Sequence, residues 1–598
     1  MPRRTLLALI GVSAVLAAPA AVGAAPYQHT TQPTAQGTGG AAASVDSVAT
    51  SAARDVLQHG GNAVDAAVAA AAVLGVTEPF SCGIGGGGFM VIRTPEGKIT
   101  TIDSREKAPA AMRPDSFFEN GKALAFNDAR YSGLSGGVPG SVAGWARALA
   151  NYGTWSLGRT LQPAIDVARN GFVIDRTFNE QAQDNAGYFD DIRSSKALYL
   201  DPDGTAHDVG TVQRNPDLAR AYARIADLGP KGFYRGAIAD ALVDAVQRPP
   251  LTEAADHTWR PGLMTMRDLR AYAAPEREPT HVRYRGLDVF GMGPPSSGGS
   301  TVGEALNILE EAPNWSTLSA TQKYHWFLEA SRFAFADRGK WLGDPDFVDV
   351  PLAGLLSQSY AAERAVLINP AKAQPGAVPA GEPRDNAGAS VVRTAAGAED
   401  PLRSTTHLTV ADASGTVVAY TFTIESTGGN AIVVPNWGFL VNNELTDFDY
   451  TTPEPGIANR PDGGKRPRSS IAPTIVQRDG VPVLATGSPG GSTIITTVLQ
   501  ILLERFDLGK TLPQAIAAPR AAQRNGATTQ AEPAFIASPE GQALATQFGH
   551  TFVTPVLTPP TNGEIGAATG IEFLPGGGFL AAAEPVRRGG GSAQVVSP

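Results

Sequence analysis

Ser404-Thr405-Thr406-His407-Leu408-Thr409-Val410-Ala411-Asp412-Ala413-Ser414-Gly415-Thr416-Val417-Val418-Ala419-Tyr420-Thr421-Phe422-Thr423 is the stretch on which the reading turns. β-Branched and aromatic residues crowd both halves, and Ala413-Ser414-Gly415 supplies a turn between them. The segment reads as an antiparallel hairpin of Thr405 to Asp412 and Thr416 to Thr423. With Ser414 at its centre, Thr405 and Thr423 each lie nine positions away, so pairing sets two hydroxyls opposite each other at one strand end. Threonine favours strands for reasons of shape alone, so the pair gains meaning only from its surroundings.

Immediately upstream, Asn369 to Pro401 is rich in Pro, Gly, Ala and charge with little periodicity, and it reads as an exposed connector. Further upstream, a polar leader runs to about Gly40. Val45, Val48, Ala52 and Val56 then recur at helical spacing until His59-Gly60-Gly61 stops the helix. Asn62 caps a second helix, with Asp65 three positions on and an alanine-rich run from Ala66 to Leu74 that permits close packing. Phe89 to Arg93, the turn Pro95-Glu96-Gly97, and Ile99 to Asp103 form a hairpin that delivers Arg105 just past a strand end. Helical periods dominate from Trp145 to about Ile238 and from Gln322 to Trp341. Gly589-Gly590-Gly591 reads as part of a flexible tail.

Composition bounds the function. The chain has 598 residues, 42% hydrophobic and 18% charged, with net charge -9 and no basic run beyond short pairs such as Arg3-Arg4 and Arg587-Arg588. A nucleic-acid partner is not expected, because phosphate binding needs a concentrated basic surface. Arg3-Arg4, the apolar stretch from Leu6 to Leu16, and the small residues Ala21-Val22-Gly23-Ala24 read as a signal peptide over residues 1–24. The apolar run is too short for a membrane span, which needs roughly 18 such residues, so no lasting membrane anchor is expected once the signal is removed. Export to the cell exterior or another extracytoplasmic space follows. The single cysteine, Cys82, permits no intramolecular disulfide and reads as a packed thiol.

Thr405-Thr406-His407 resembles the processing site of the γ-glutamyltranspeptidase family, whose members are N-terminal nucleophile hydrolases. The resemblance extends along nearly the whole mature chain. It takes in Gly60-Gly61-Asn62-Ala63-Val64-Asp65-Ala66-Ala67, the Gly85 to Phe89 run, Asp103-Ser104-Arg105-Glu106, Val138-Pro139-Gly140, Pro294-Pro295-Ser296-Ser297-Gly298-Gly299 and Ala336-Asp337-Arg338. It continues through Asn442-Asn443-Glu444, Asp447-Phe448, Arg466-Pro467-Arg468-Ser469-Ser470 and Gly487-Ser488-Pro489-Gly490-Gly491.

That resemblance implies an α+β fold, the four-layer αββα sandwich of N-terminal nucleophile hydrolases, formed jointly by two pieces of one autocleaved precursor. Residues 25–404 would be the large subunit and residues 405–598 the small catalytic one. Cleavage at Ser404-Thr405 would free an α-amine beside the Thr405 hydroxyl. Such an amine has an ordinary pKa of about 7.7–8.0, so it serves as the proton acceptor that a weak alcohol nucleophile needs. By the same resemblance Thr423 assists, Gly490 and Gly491 form the oxyanion hole, and Arg105 with Ser469 and Ser470 receives the carboxylate of a γ-glutamyl group. Glu444, Asp447 and Glu425 receive its ammonium. The implied activity is cleavage of γ-glutamyl amides such as glutathione, with transfer to water or to amino acids and peptides. No cofactor or metal is implied. Glu425 departs from the asparagine frequent in the family and adds negative charge. The span from Phe448 to Arg466 is too short for the lid loop of several relatives, so an open cleft is expected.

Three rival readings remain. Gly133-Leu134-Ser135-Gly136-Gly137 satisfies the GxSxG pattern of serine hydrolases, although neither a buried strand before it nor a helix directly after it is evident. A glutaryl or cephalosporin acylase is the nearest alternative within the family. A protein that kept the fold and lost the reaction is the third, and the intact Thr405, Arg105, Asp447 and glycine pair argue against it.

Overall fold

The computed structural model describes residues 25–383, 404–555 and 563–597. The expected signal peptide lies outside the described residues, as does the expected connector, Asn369 to Pro401, from residue 384 on; its first part is described and is held to the body, with Ala373 N–H donating to Phe548 O and Gly381 N–H to Asp337. What reads as a polar leader is in fact a strand, β1 (Thr34–Ser44). Its glycines and alanines give no hydropathy alternation, and its pairing partners lie hundreds of residues away, so nothing local announces it. The two helices follow as expected. In α1 (Ser47–Gln58) the Asp46 carboxylate accepts from Ala49 N–H, and in α2 (Ala63–Thr77) Asn62 and Asp65 form a reciprocal capping box. Every residue of α2 is buried, which its small side chains permit.

The expected hairpin is β2 (Gly87–Arg93) with β3 (Ile99–Asp103). Further on come β4 (Thr280–Tyr284), β5 (Leu287–Gly291), α3 (Gly298–Glu310) and α4 (Ala320–Trp341). The decisive segment is β6 (Thr406–Asp412) and β7 (Val417–Thr423), paired antiparallel with Thr406 opposite Phe422. At its turn, Asp412 Oδ1 accepts from the N–H groups of Ser414 and Thr416, while Oδ2 accepts from Ala63 N–H at the start of α2. One carboxylate thus shapes the turn and fixes it to a helix N-terminus. The chain closes with β8 (Thr474–Arg478), β9 (Val481–Gly487), α5 (Thr493–Leu502), β10 (Thr569–Leu574), β11 (Gly578–Ala583) and β12 (Ser592–Ser597).

One sheet runs β3–β2–β7–β6–β1, with β12 on the other edge of β1; the second runs β11–β10–β9–β8–β5–β4. β1 belongs to both. Its Thr34–Gly37 half pairs with β11, its Gly40–Ser44 half pairs with β6, and the register shift between them falls at Gly39 and Gly40 (φ +81° and +141°). Glycine is required there because the strand must change sheets through left-handed backbone. Leu408, Val410, Val418, Tyr420 and Phe422 face α1 and α2 on the outside of the first sheet. Ala43, Val91, Ala411 and Ala419 meet Leu484, Ile571 and Ala581 of the second sheet, beyond which α3, α4 and α5 pack. The result is the four-layer αββα sandwich, with alanines between the sheets allowing close stacking.

The C-terminus departs from expectation. Gly590 N–H donates to Arg587 and Gly591 N–H to Glu584, and β12 then enters the first sheet beside β1, so this stretch is an integral strand rather than a flexible tail. The thiol of Cys82 is buried, and burial raises its pKa well above the usual thiol range, as a packed structural cysteine requires. Ser135 is buried too. Its hydroxyl donates to the Arg130 and Ser132 carbonyls (2.7 and 3.0 Å) from a short 3-10 turn that follows a helix over 126–130, so no strand leads into a nucleophile elbow.

Candidate active site

Continuing the β6–β7 register by one residue sets Thr405 opposite Thr423. Their hydroxyl oxygens are 3.4 Å apart. Both also converge on the carbonyl of the bond that joins Ser404 to Thr405: Thr423 Oγ1 donates to Ser404 O at 2.9 Å and Thr405 Oγ1 does so at 2.5 Å. Thr423 is itself held by Glu425 N–H, which donates to its oxygen at 2.8 Å, and Ser404 N–H donates to Glu425 O at 3.0 Å. To make this return loop Glu425 adopts φ +80°, a left-handed conformation that costs a non-glycine residue about 1 kcal/mol. Its carboxylate accepts from Asn443 Nδ2 (2.6 Å) and from the Ser426 hydroxyl.

A single pocket is lined by Arg105, Ser404, Thr405, Thr423, Glu425, Glu444, Asp447, Ser469, Ser470 and Gly491, with Ile471 and Ile494 beside them. Every site residue expected from sequence is therefore brought together, except that Gly490 stands one residue behind the lining. Gly490 and Gly491 have φ +131° and +57°, and a Cβ on Gly490 would fall 2.7 Å from Thr493 Oγ1. Among the described residues neither glycine N–H has an acceptor, which leaves both as donors. None of the residues between Phe448 and Arg466 lines the pocket; Asn459 folds that span back by donating to Asp447 O and accepting from Arg468 N–H.

The residues expected to hold opposite ends of a zwitterion are paired with one another. Rather than standing apart, cation and anions form one cluster: Arg105 donates to Glu444, to Asp447 Oδ2 at 2.5 Å, and to the carbonyls of Pro467 and Arg468. Burial opposes the charge on Arg105, yet Glu444 and Asp447 hold its pKa above even the usual guanidinium range. Glu106 stands behind, also buried. Burial pushes the carboxyls of both Glu106 and Glu444 upward, and the charge of Arg105 opposes that rise.

Sequence reasoning missed several supporting residues. Arg338 lies within the resemblance, yet nothing in its sequence context assigns it a role; its guanidinium donates to Ser470 Oγ (2.7 Å) and Ser297 Oγ (2.8 Å), orienting the Ser470 hydroxyl toward the pocket. His407, two residues after Thr405, is fully buried between the sheets, bonded to Thr421 and Thr409 and packed on Gly487, where a Cβ would meet the imidazole at 2.3 Å. Burial lowers its pKa to about 3, so it stays neutral. Arg588 is the largest omission. Its guanidinium donates to Thr405 O (2.7 Å), Ser81 Oγ (2.7 Å) and Glu78 (3.2 Å), and Ser404 Oγ in turn donates to Ser81 Oγ (2.8 Å). The Arg587-Arg588 pair was visible in the sequence only as a local basic dipeptide.

Residues 49–594 match the family model described as gamma-glutamyltranspeptidase. The chain is similar to the glutathione hydrolase proenzyme of Bacillus subtilis (strain 168), at 41% identity over 81% of this chain and 80% of that one. It is also similar to the glutathione hydrolase proenzyme of Escherichia coli (strain K12), at 39% over 80% of each. Among solved structures, cephalosporin acylase from Bacillus halodurans aligns over 97% of this chain and 99% of that one, with TM-score 0.79 and 26% identity. With a family match spanning most of its length and relatives of this similarity, the chain is a member of the γ-glutamyltranspeptidase family.

Proposed function

We propose that this protein is an exported γ-glutamyl hydrolase and transpeptidase that cuts itself at Ser404-Thr405 and then uses Thr405 as its nucleophile. The observation that carries the reading is the convergence of the Thr405 and Thr423 hydroxyls on the Ser404 carbonyl, inside the pocket that also holds Arg105, Glu444 and Asp447. In self-cleavage Thr405 Oγ1 attacks the Ser404 carbonyl carbon while Thr423 polarises its oxygen. The C–N bond breaks, the acyl group moves to oxygen, and water hydrolyses that ester to leave a Ser404 carboxylate and a Thr405 α-amine. Ser404, which lines the pocket in the uncut chain, then departs and admits substrate. Residues 25–404 and 405–598 remain together as the two subunits.

In turnover the α-amine takes the Thr405 hydroxyl proton as the oxygen attacks the γ-carbonyl of the donor. Gly490 and Gly491 N–H groups meet the developing oxyanion. The C–N bond breaks, the leaving amine receives the proton, and the γ-glutamyl ester passes to water or to an amino-acid or peptide amine. Arg105, Ser469 and Ser470 receive the donor's α-carboxylate, and Asp447, Glu444 and Glu425 its ammonium. Sequencing the N-terminus of the smaller chain, together with assay of a γ-glutamyl anilide, tests the reading. An uncut chain with full activity would overturn it. The structural likeness to a cephalosporin acylase makes side-chain acylase activity the second reading; faster turnover of a glutaryl anilide than of its γ-glutamyl counterpart would favour it.

A further inference from the structure

Among the described residues Arg588 is the one cation bonded to the residue proposed as nucleophile, and it lies 183 positions away in sequence. It sits in the 3-10 turn 587–589 with φ +55° and ψ +39°, a left-handed conformation unfavourable for arginine. The turn is pinned below by Glu564, which accepts from Arg588 N–H at 3.2 Å, and by the neighbouring Arg587, buried against Glu532 and Glu584. The guanidinium is thus fixed on Thr405 O rather than free to sample solvent. By covalent geometry it lies no more than about 6 Å from Thr405 N, the atom that becomes an amine on cleavage.

The other charged groups around that atom are mostly acidic: Glu78 after α2, Glu425 after β7, and Glu444 and Asp447 across the pocket with Arg105 between them. Carboxylates alone would favour the ammonium form of a new N-terminus, which cannot accept a proton. We propose that Arg588 is a positioning residue for the mature reaction, and that its charge, held on the Thr405 carbonyl, keeps the adjacent α-amine in the unprotonated, proton-accepting form. This rests on the reading of Thr405 as an N-terminal nucleophile. Glu78 fits the role of a partial counterweight: burial, opposed by Arg588, leaves its pKa at about 7, so its negative charge is incomplete near neutrality and the guanidinium field is not cancelled.

The test is the pH dependence of kcat/KM for a γ-glutamyl anilide in the mature enzyme, the R588K and R588M variants, and E78Q. Removing the charge moves the acid limb upward by about one pH unit, so R588M loses about tenfold at pH 6 and regains most of it at pH 9. R588K, keeping a cation, stays within about 0.3 unit of the parent. E78Q, which removes the opposing carboxylate, moves the limb downward. An R588M that matures with an unmoved limb overturns the proposal. If R588M fails to mature, E78Q decides alone: a downward shift supports the proposal and an unmoved limb overturns it. A small chain that does not begin at Thr405 defeats the underlying reading, whereas Thr405 at its head with an unmoved limb defeats only this inference.

Discussion

The two ends of the pocket are built from opposite materials. Where Ser404, Thr405 and Thr423 meet, the two hydroxyls contact each other, main-chain carbonyls and an amide, with no charged side chain among the described residues bonded to either hydroxyl and Arg588 reaching only the Thr405 carbonyl. At the other end Arg105, Glu106, Glu444 and Asp447 crowd into a buried ion cluster. Neutral dipoles held on a rigid strand end stabilise charge as it develops without attracting ions beforehand, whereas fixed charges recognise a ligand that is already charged. Under the proposed reaction, bond-making falls to one end and selection to the other.

Four measurements would break or sharpen that division. Thr405→Ala removes the proposed nucleophile from the reacting end: the chain stays in one piece on a denaturing gel and anilide turnover falls by about 10³-fold or more. Next in size, Arg105→Met strips buried Glu444 of its cation and takes one ion-pair partner from Asp447. It costs about 3 kcal/mol of stability in chemical denaturation, and kcat/KM falls about 100-fold, chiefly through KM. A loss confined to kcat would place Arg105 at the wrong end.

Third is a pH effect on the fold. His407 has its pKa lowered by burial to about 3, below the unfolded value of about 6.5, so the unfolded chain binds the extra proton between those limits. Its contribution is fully present above pH 6.5 and is lost as pH falls toward 3, amounting to about 3 kcal/mol by pH 4. Denaturation curves at pH 7 and pH 4 measure it, and His407→Gln should flatten the difference. Smallest, Thr423→Val slows self-cleavage about tenfold while the KM of a γ-glutamyl donor stays within about twofold, because one neutral hydrogen bond to the carbonyl is lost. A larger change in KM than in rate would erase the boundary between the two ends.

How much of this was legible in the sequence depended on whether the signal was local. The β6–β7 hairpin, with its turn residues and dense β-branched content, stands where its pattern sets it, and so do α1 and α2 with their caps. Arg105 follows β3 as the strand pattern requires. β1 was illegible because alanine and glycine carry neither alternation nor propensity; it is a strand because strands far along the chain flank it. β12 was hidden behind three glycines that read as slack and serve as a turn. The ion pairing of Arg105 with the acids was likewise invisible, since residue types name a charge and only the fold sets its distance. Arg588 shows the same limit, its partners Thr405, Ser81 and Glu78 being remote in sequence.

The position of β1 has one more consequence. It precedes the Ser404-Thr405 bond, yet β6, β11 and β12, its neighbours, all follow it. β2 likewise pairs with β7, and β5 with β8. If that bond is cut as proposed, the fragments are interlaced strand by strand, and neither can leave without unzipping both sheets. Subunits from two differently labelled preparations, mixed after maturation, should therefore fail to exchange for as long as the fold survives.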